Sequence, residues 1–282
     1  MTDAADAATG LDLRLRISVA DNAPEGLRFI TVTSEALRGR ADITVWLPEG
    51  FESLEELPLT LLLHGVYGSH WAWALNGRAH QTAGRLIAEG HIRPVGLIMP
   101  SDGLWGDGSG YVSHPDRDFE RWIVEEVPWS ARQLLPKGLR NRTPLSIAGL
   151  SMGGFGALRI GAKYGRDLFT GISGHSSITD FAQMKLFTKE PLDRYGAPFE
   201  DRSVFDAMPR NRENLPPLRF DCGTEDPLLF DNRELHDRLE WASIPHVYEE
   251  FPGGHEWPYW ERHVADTLLF FHRTDRSAGR AT

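Results

Sequence analysis

The sequence has no cysteine pair, no long apolar run and no excess of positive charge. Its single cysteine, Cys222, excludes an intrachain disulfide, and the absence of a Cys-x-x-Cys motif excludes a thiolate zinc site or a dithiol redox site. Because disulfides persist in oxidising compartments, this cysteine usage favours a reducing one.

Segments that would direct the chain to or across a membrane are also missing. A membrane-spanning helix needs roughly 18 or more apolar residues, and the longest contender is the short stretch from Leu59 to Leu63. Residues Met1 to Gly10 are mainly Ala, Asp and Thr, without the basic start and apolar centre of a signal peptide, and we predict a flexible tail there. We therefore expect a soluble, cytoplasmic protein, unless a leader peptide has been removed.

The formal net charge of −10 limits the classes of partner. Proteins that hold phosphate backbones or anionic membranes do so with clustered Lys and Arg, so we expect neither nucleic acid nor a membrane surface as a partner. The hydrophobic fraction of 41% and the charged fraction of 25% are ordinary for a globular protein. The chain is therefore expected to fold around a substantial core.

Hydrophobic patterning separates an N-terminal part from the rest of the chain. Apolar and polar residues alternate in Leu11–Val19, Leu27–Thr33 and Ile43–Leu47, which predicts half-exposed antiparallel strands. From Leu59 onward, continuously apolar runs predict buried parallel strands at 59–63, 95–99, 145–148, 171–173, 218–221 and 246–251. Helices are predicted between them at 78–89, 119–135, 152–164, 228–241 and 257–272. This alternation predicts an α/β fold with a mostly parallel central sheet, helices on both faces, and antiparallel strands at its N-terminal end.

We predict one domain over residues 11–275, with tails at 1–10 and 276–282. The segment around 177–215 interrupts the alternation with prolines and mixed charges. Ligand sites in open α/β sheets lie at the carboxyl ends of the strands, where loops vary freely. This segment is therefore predicted to be an insertion near the mouth of the active site.

A glycine-flanked serine lies between a predicted strand and a helix rich in small residues. Gly149-Leu150-Ser151-Met152-Gly153 has the Gly-x-Ser-x-Gly spacing. In the α/β-hydrolase fold this motif forms a sharp strand-to-helix turn that exposes the serine hydroxyl, and its glycines remove Cβ atoms that would clash. The spacing alone also occurs in ordinary turns, so it is the surrounding strand and helix that predict Ser151 as a nucleophile.

A serine nucleophile needs a base and an acid that orients the base, which in this fold follow in the order Ser, Asp or Glu, His. An acidic loop follows the strand at 218–221, and a glycine-rich loop with a histidine follows the next strand. We predict Asp226 as the acid and His255 as the base. Glu225 is the main alternative for the acid and Asp221 a weaker one, and Asp226 before Pro227 also fits a helix N-cap.

Two backbone N–H groups are predicted to form the oxyanion hole. One belongs to Met152, directly after the nucleophile, and the other to Val66, in the loop after the strand at 59–63. The helix that begins at Met152 also directs its positive dipole end toward the site where an oxyanion forms.

Aromatic residues follow several predicted strand ends and indicate an aromatic-walled substrate pocket. We predict Trp71, Trp105, Tyr111, His175 and Trp257 as substrate-binding residues. Sugar rings and aryl acyl groups suit such walls, although tryptophan also packs well in cores. Histidines 64 and 114 lie near strand ends and fit either the pocket or a structural role, whereas histidines 236 and 263 fall on predicted helices and are expected at the surface.

Several short motifs together resemble the esterase D (putative esterase) family of α/β-hydrolases, over about residues 31–271. They are Leu63-His64-Gly65, Pro100-Ser101-Asp102-Gly103, Gly149-Leu150-Ser151-Met152-Gly153-Gly154, Gly223-Thr224-Glu225-Asp226 and Gly253-Gly254-His255-Glu256-Trp257. The family includes S-formylglutathione hydrolases, tributyrin esterases, feruloyl and acetylxylan esterases, and mycolyltransferases. The resemblance implies a triad at Ser151, Asp226 and His255, turnover through an acyl-enzyme, and no metal or cofactor. The oxyanion-loop sequence of S-formylglutathione hydrolases is absent, so glutathione thioesters are not the expected substrates.

The leading hypothesis is a serine carboxylesterase acting on small acyl esters, including acyl or feruloyl groups on sugars. An acyltransferase with the same acyl-enzyme is the nearest alternative, and a non-catalytic binding protein on this fold is another. A metal-dependent hydrolase is disfavoured because no close His/Asp/Glu ligand spacing is evident. The expected partner is a small-molecule ester, and the family resemblance is compatible with a homo-oligomer.

Overall fold

The computed structural model describes residues 15–20 and 23–277. The predicted tail at 1–10 and residues 278–282 of the predicted C-terminal tail lie outside this part of the chain. The described residues form a nine-stranded sheet with the order β1-β2-β3-β5-β4-β6-β7-β8-β9. The strands are β1 (Arg16–Ala20), β2 (Leu27–Ser34), β3 (Gly39–Trp46), β4 (Leu59–Leu63), β5 (Gly96–Pro100), β6 (Leu145–Leu150), β7 (Gly171–His175), β8 (Leu218–Gly223) and β9 (Val247–Phe251).

Strand direction follows the two kinds of hydrophobic pattern. β1, β2 and β3 pair antiparallel, and β3 joins β5 in the same way. The pairs β4–β5, β4–β6, β6–β7, β7–β8 and β8–β9 are all parallel. Every residue of β4 to β8 is buried, as continuous apolar runs require, whereas β1 and β9 at the two edges are partly exposed. The predicted α/β-hydrolase fold class is confirmed.

Helices cover both faces of the sheet. They are α1 (Ala72–Leu75), α2 (Ala79–Ala88), α3 (Phe119–Arg121), α4 (Val127–Arg132), α5 (Met152–Tyr164), α6 (Val204–Arg210), α7 (Leu229–Trp241) and α8 (Trp257–Ser277). Because successive strand residues point to opposite faces, Leu61 lies in one hydrophobic cluster with Phe155 of α5, and Leu62 lies in the other with Leu268 of α8. The sheet is therefore buried between two apolar layers, which hold the strand ends in place. None of the described helices is long and apolar enough to cross a membrane.

The predicted helix at 119–135 is interrupted. A π-helical segment, Trp122–Glu126, separates α3 from α4, and the N–H of Val127 donates to the carbonyl of Trp122, five residues back. Pro128 has no N–H with which to continue the α-helical pattern, so the bond pattern changes just before it.

The segment between β7 and β8 contains α6 and several short 3₁₀ turns. Its capping interactions are local, as in the turn Phe181–Leu186, where Asp180 and Gln183 form a capping box. This region carries side chains to the carboxyl edge of the sheet.

Candidate active site

Ser151 lies at the turn between β6 and α5, in a strained backbone conformation. Its φ of 53° and ψ of −118° are unusual for a residue with a side chain. A Cβ at Gly149 would lie 2.2 Å from the carbonyl oxygen of Gly153, and one at Gly153 would lie 2.3 Å from that of Leu63. Only glycine allows these backbones to approach so closely, and the turn between them directs Ser151 Oγ to the edge of the sheet.

The loops after β8 and β9 pack directly against each other. The N–H of Thr224 donates to the carbonyl of Phe251 at 2.8 Å, and the N–H of Glu225 donates to that of Gly253 at 2.9 Å. A Cβ at Gly223 would lie 2.2 Å from the Gly253 oxygen, and Gly253 has a φ of +136°. The glycines therefore let the two loops meet, which brings the Asp226 and His255 side chains together.

A continuous set of hydrogen bonds joins the three predicted triad residues. Ser151 Oγ lies 2.9 Å from His255 Nε2, and His255 Nδ1 lies 2.9 Å and 3.1 Å from the two carboxylate oxygens of Asp226. The Asp226 carboxylate also accepts the N–H of Leu228 at 2.8 Å. Burial alone would raise the pKa of Asp226, but its hydrogen bond to His255 and the attraction of that imidazole lower the pKa below its usual value. The carboxylate is thus ionised and oriented toward His255.

The two alternative acids occupy different surroundings. Glu225 is exposed, and its backbone rather than its side chain joins the two loops. Asp221 is fully buried, and its carboxylate accepts hydrogen bonds from Arg219 and from the hydroxyl of Tyr259. Of the three acids, Asp226 is the one that contacts His255.

The loop after β4 passes close to the nucleophile. A Cβ at Gly65 would lie 3.3 Å from Ser151 Cβ. His64 supports this loop: its Nδ1 lies 2.7 Å from the carbonyl oxygen of Gly65, and its Nε2 accepts the N–H of Asp102 at 3.0 Å. Burial lowers the pKa of His64, which favours the neutral ring that this donor–acceptor pair requires. His64 therefore has a structural role behind the predicted oxyanion loop.

Both predicted oxyanion residues lie close to Ser151. Val66 lines the cavity at Ser151. Met152 is the first residue of α5, so its N–H belongs to the helical N–H groups that have no acceptor within the helix. The assignment of these two N–H groups as oxyanion donors stays a prediction.

A cavity of about 410 Å³ opens above Ser151 and His255, within the size range of small-molecule sites. Its remaining lining residues are Gly65, Val66, Tyr67, Gly68, Trp71, Ala72, Asn76, Leu150, Phe187, Glu256, Trp257 and Trp260. Trp71 and Trp257 were predicted as substrate-binding residues, and the structure places both in the wall. Asn76 and Glu256 add polar groups to a mainly aromatic surface.

Phe187 and Trp260 contact the His255 imidazole; Trp260 belongs to the cluster of tryptophans that indicated an aromatic pocket but was not assigned to substrate binding, and Phe187 was not predicted at all. The Phe187 ring stacks on His255 with centroids 5.2 Å apart, and Trp260 meets it edge-on at 5.0 Å. Trp260 lies five residues after His255 on α8, so proximity in sequence was a usable signal. Phe187 comes from the 177–215 segment, and no sequence pattern marks it.

A tyrosine from the loop after β4 holds that segment over the site. The Tyr67 hydroxyl donates to the carbonyl of Phe187 at 2.9 Å and lies 3.3 Å from the carboxylate of Asp107. The same carboxylate accepts the N–H of Lys189 at 2.9 Å. Tyr67 and Asp107 therefore fix the backbone at Phe187 and at Lys189, two residues after it.

Three predicted substrate-binding residues lie elsewhere, which corrects their assignment. Tyr111 is fully buried, and its hydroxyl donates to the carbonyl of His64. His175 is fully buried beside Asp221 and Thr267. Trp105 packs edge-on against His114 and Tyr195 and is absent from the cavity lining. Strand-end position placed these residues near the site, but the side chains of Tyr111 and His175 point into the core and the partly buried Trp105 packs against the core away from the cavity.

Comparison with known proteins places the chain in a family. The family model described as "Putative esterase" matches residues 34–271. An acetyl esterase of Caldicellulosiruptor saccharolyticus is 28% identical over 233 residues, covering 76% of this chain and 83% of that protein. Esterase Rv1288 of Mycobacterium tuberculosis strain H37Rv is also 28% identical, and the match covers 87% of this chain but 59% of that protein.

Solved structures show the same architecture. A ferulic acid esterase matches with a TM-score of 0.72 at 25% identity, covering 92% of this chain and 98% of its own. An S-formylglutathione hydrolase from Agrobacterium tumefaciens matches with a TM-score of 0.74 at 17% identity, covering 92% and 98% of the two chains. At that identity the second likeness concerns the fold alone. The chain belongs to the esterase family of α/β-hydrolases and is an enzyme that acts on ester bonds.

Proposed function

We propose that this enzyme hydrolyses small carboxylic esters with Ser151 as nucleophile, His255 as general base and Asp226 as the acid that orients the base. The observation that carries the proposal is the set of hydrogen bonds from Ser151 through His255 to Asp226, at a strained turn beneath an aromatic cavity. A hydroxyl, an imidazole and a buried carboxylate in this order are the parts that acyl transfer from an ester requires.

Each proton has a defined route in this arrangement. His255 Nδ1–H donates to the ionised Asp226, which leaves the lone pair of Nε2 directed at the Ser151 hydroxyl. As Ser151 Oγ attacks the ester carbonyl, its proton passes to Nε2, and His255 then gives this proton to the departing alcohol. Water repeats the same steps on the acyl-enzyme and releases the acid. Asp226 stays ionised throughout and stabilises the imidazolium.

The tetrahedral intermediate carries a negative oxygen, for which the N–H groups of Met152 and Val66 are the proposed donors. A preorganised donor of this kind contributes about 3–4 kcal/mol to transition-state stabilisation in enzymes where it has been removed. The neutral His64, bonded to the Gly65 carbonyl, keeps the Val66 loop beside Ser151.

The proposed substrates carry acetyl or feruloyl groups on sugar hydroxyls. Trp71, Trp257, Trp260 and Tyr67 present faces and edges on which a sugar or aryl ring can pack. Polar groups for hydroxyls come from Asn76 in the same wall. The names of two relatives, an acetyl esterase and a ferulic acid esterase, support this substrate class.

The first test compares wild type with Ser151→Ala in the hydrolysis of p-nitrophenyl acetate. We expect kcat to fall by about 10⁶, as for the loss of a triad serine in other enzymes. Circular dichroism of the variant checks that the substitution leaves the fold intact. Equal activity of the two proteins would rule out the assigned mechanism.

A second measurement compares kcat/KM for acetylated and feruloylated sugars with kcat/KM for S-formylglutathione. We expect the sugar esters to show the higher kcat/KM, and product analysis with added alcohols separates hydrolysis from acyl transfer. A preference for the glutathione thioester would overturn the substrate proposal while leaving the triad intact.

A further inference from the structure

Three side chains with metal-binding donors meet at the end of α7, outside the cavity. His236 and Glu240 are one helical turn apart on α7, so both project from the same side of the helix. His246 comes just before β9. The candidate ligand atoms of these three residues all lie within 4.8 Å of one another, with His236 Nδ1 2.8 Å from His246 Nε2 and that nitrogen 4.0 Å from a Glu240 oxygen.

Hydrogen bonding orients the His246 ring for binding. Its Nδ1 lies 2.8 Å from the carbonyl oxygen of Ile244. A carbonyl oxygen only accepts, so Nδ1 carries the hydrogen, and in the neutral ring the lone pair of Nε2 points at His236 and Glu240. A backbone carbonyl that accepts from the other ring nitrogen, and so fixes the ring and its tautomer, is a usual partner of a metal-binding histidine.

Aromatic packing holds both imidazoles in place. His246 stacks on Phe220 with centroids 5.6 Å apart, and His236 stacks on Tyr248 at 4.9 Å. The His246 side chain is fully buried, whereas that of Glu240 is 66% exposed. The rings are therefore ordered before any ligand arrives, and an ion has access from the solvent side.

We propose that His236, Glu240 and His246 form a binding site for one divalent transition-metal ion of the zinc class. Two imidazole nitrogens and one carboxylate oxygen suit zinc, nickel or copper, whereas magnesium and calcium take all-oxygen sites. Zinc–nitrogen bonds of about 2.0–2.1 Å place two ligand nitrogens roughly 3.3 Å apart, so the two rings need to separate by only about half an ångström. The hydrogen on His236 Nδ1 moves to its Nε2, and no proton needs to be released.

The site would be structural, because its donors belong neither to the cavity lining nor to the triad. It lies at the turn of a segment whose two ends carry the proposed acid and base: Asp226 precedes α7, and His255 follows β9. A bound ion would connect α7 to the edge strand β9 at the turn between them. This turn is the part of the segment that is farthest along the chain from Asp226 and His255. No sequence pattern shows this arrangement, because His246 lies outside α7. It approaches His236 and Glu240 only where the chain turns back from α7 into the sheet.

The first test titrates untagged, chelator-treated protein with Zn²⁺ in the presence of a chromophoric chelator that competes for the ion. In a second measurement Co²⁺ replaces Zn²⁺, so that the visible spectrum of the bound ion can be recorded. We expect binding of one ion per chain and a rise in Tm upon its addition. His236→Phe keeps a ring to stack on Tyr248 but removes the donor, so binding should weaken by about 100-fold or more; Glu240→Gln, at an exposed position, should weaken it by about tenfold.

Two control variants separate this site from other histidines. His91→Ala removes an exposed histidine that lies 3.4 Å from Glu89, and it should bind Zn²⁺ as wild type does. His255→Ala should also retain the site. Esterase activity of His236→Phe without metal should equal that of wild type, which reports correct folding. Absence of stoichiometric binding, binding unchanged in His236→Phe, or binding lost in His255→Ala would each overturn the proposal.

Discussion

Two pairs of histidine and aspartate lie at neighbouring strand ends, and only one of them meets the cavity. His255 Nδ1 is 2.9 Å from Asp226, and His175 Nδ1 is 2.8 Å from Asp221. The second nitrogen of His255 meets Ser151 Oγ at 2.9 Å, whereas that of His175 meets the hydroxyl of Thr267 at the same distance. The His255 side chain is 17% exposed and that of His175 is fully buried.

The difference shows that a histidine–carboxylate contact does not by itself make a base. Asp221 is also bonded to Arg219 and Tyr259, so its charge is balanced inside the core. Burial alone would raise the pKa of Asp221, but His175 and Arg219 together lower it to about 2. The buried pair supports the sheet under the site, while the pair at the cavity contacts the Ser151 hydroxyl and has room for a substrate beside it.

Of the changes to these two pairs, replacing Asp226 should have the largest effect on activity. In Asp226→Asn the amide no longer orients the His255 Nδ1–H correctly, and we expect kcat to fall by about 10⁴, as for the same change in a serine protease. Steady-state hydrolysis of p-nitrophenyl acetate measures this. The matched control, Glu225→Gln, alters the exposed neighbouring acid and should keep the wild-type rate. Loss of activity in Glu225→Gln alone would reassign the acid.

Replacing Asp221 should affect stability far more than catalysis. Asp221→Asn removes the buried carboxylate beside Arg219 and leaves that guanidinium only the partly exposed Glu249 as an acidic partner, and breaking a buried pair costs about 3–5 kcal/mol. We expect the free energy of unfolding in urea to fall by that amount, with kcat within a few-fold of wild type under conditions where the variant is folded. A variant of wild-type stability with a collapsed kcat would place Asp221 in the catalytic machinery instead.

Acid should weaken the buried pair in a defined range of pH. The pKa of Asp221 is about 2 in the folded protein and about 3.9 in an unfolded chain. Because the folded value is lower, its stabilisation is fully present above pH ~4 and is lost as pH falls toward 2, a change on the order of 2 kcal/mol. The free energy of unfolding of wild type should therefore fall more steeply over this range than that of Asp221→Asn. Parallel curves would contradict the ion pair.

The smallest expected effect concerns the aromatic residue that covers His255 at the cavity. Phe187→Ala removes the ring stacked on His255, and since aromatic pairs contribute about 0.5–1.5 kcal/mol, we expect KM for aryl esters to rise about 2- to 10-fold with little change in kcat. Phe199→Ala is the matched control, because Phe199 lies in the same segment, is 79% exposed and does not line the cavity. Equal effects of the two variants would exclude a specific role for Phe187.

The sequence predicts the position of the candidate site more reliably than the residues that line its cavity. Trp71 and Trp257 line the cavity as predicted, but Tyr111 and His175 point into the core. A strand end specifies which edge of the sheet a residue reaches, and the side-chain direction there depends on contacts from elsewhere in the chain. Phe187 is the opposite case, a cavity residue that no sequence pattern marks. It reaches His255 because Tyr67, 120 residues earlier, holds its backbone.

The sequence by itself determined the strand-to-helix turn at Ser151, because the glycines that its close backbone packing requires, at positions 149 and 153, lie within one short motif, even though Gly153 approaches Leu63 of the neighbouring strand β4. Continuous and alternating apolar runs likewise determined which strands are parallel. Only the tertiary structure decided that Asp226 rather than Glu225 or Asp221 faces His255, and that His236, Glu240 and His246 converge. Both outcomes depend on how separate loops pack against one another, and that packing is set by long-range contacts that no short motif contains.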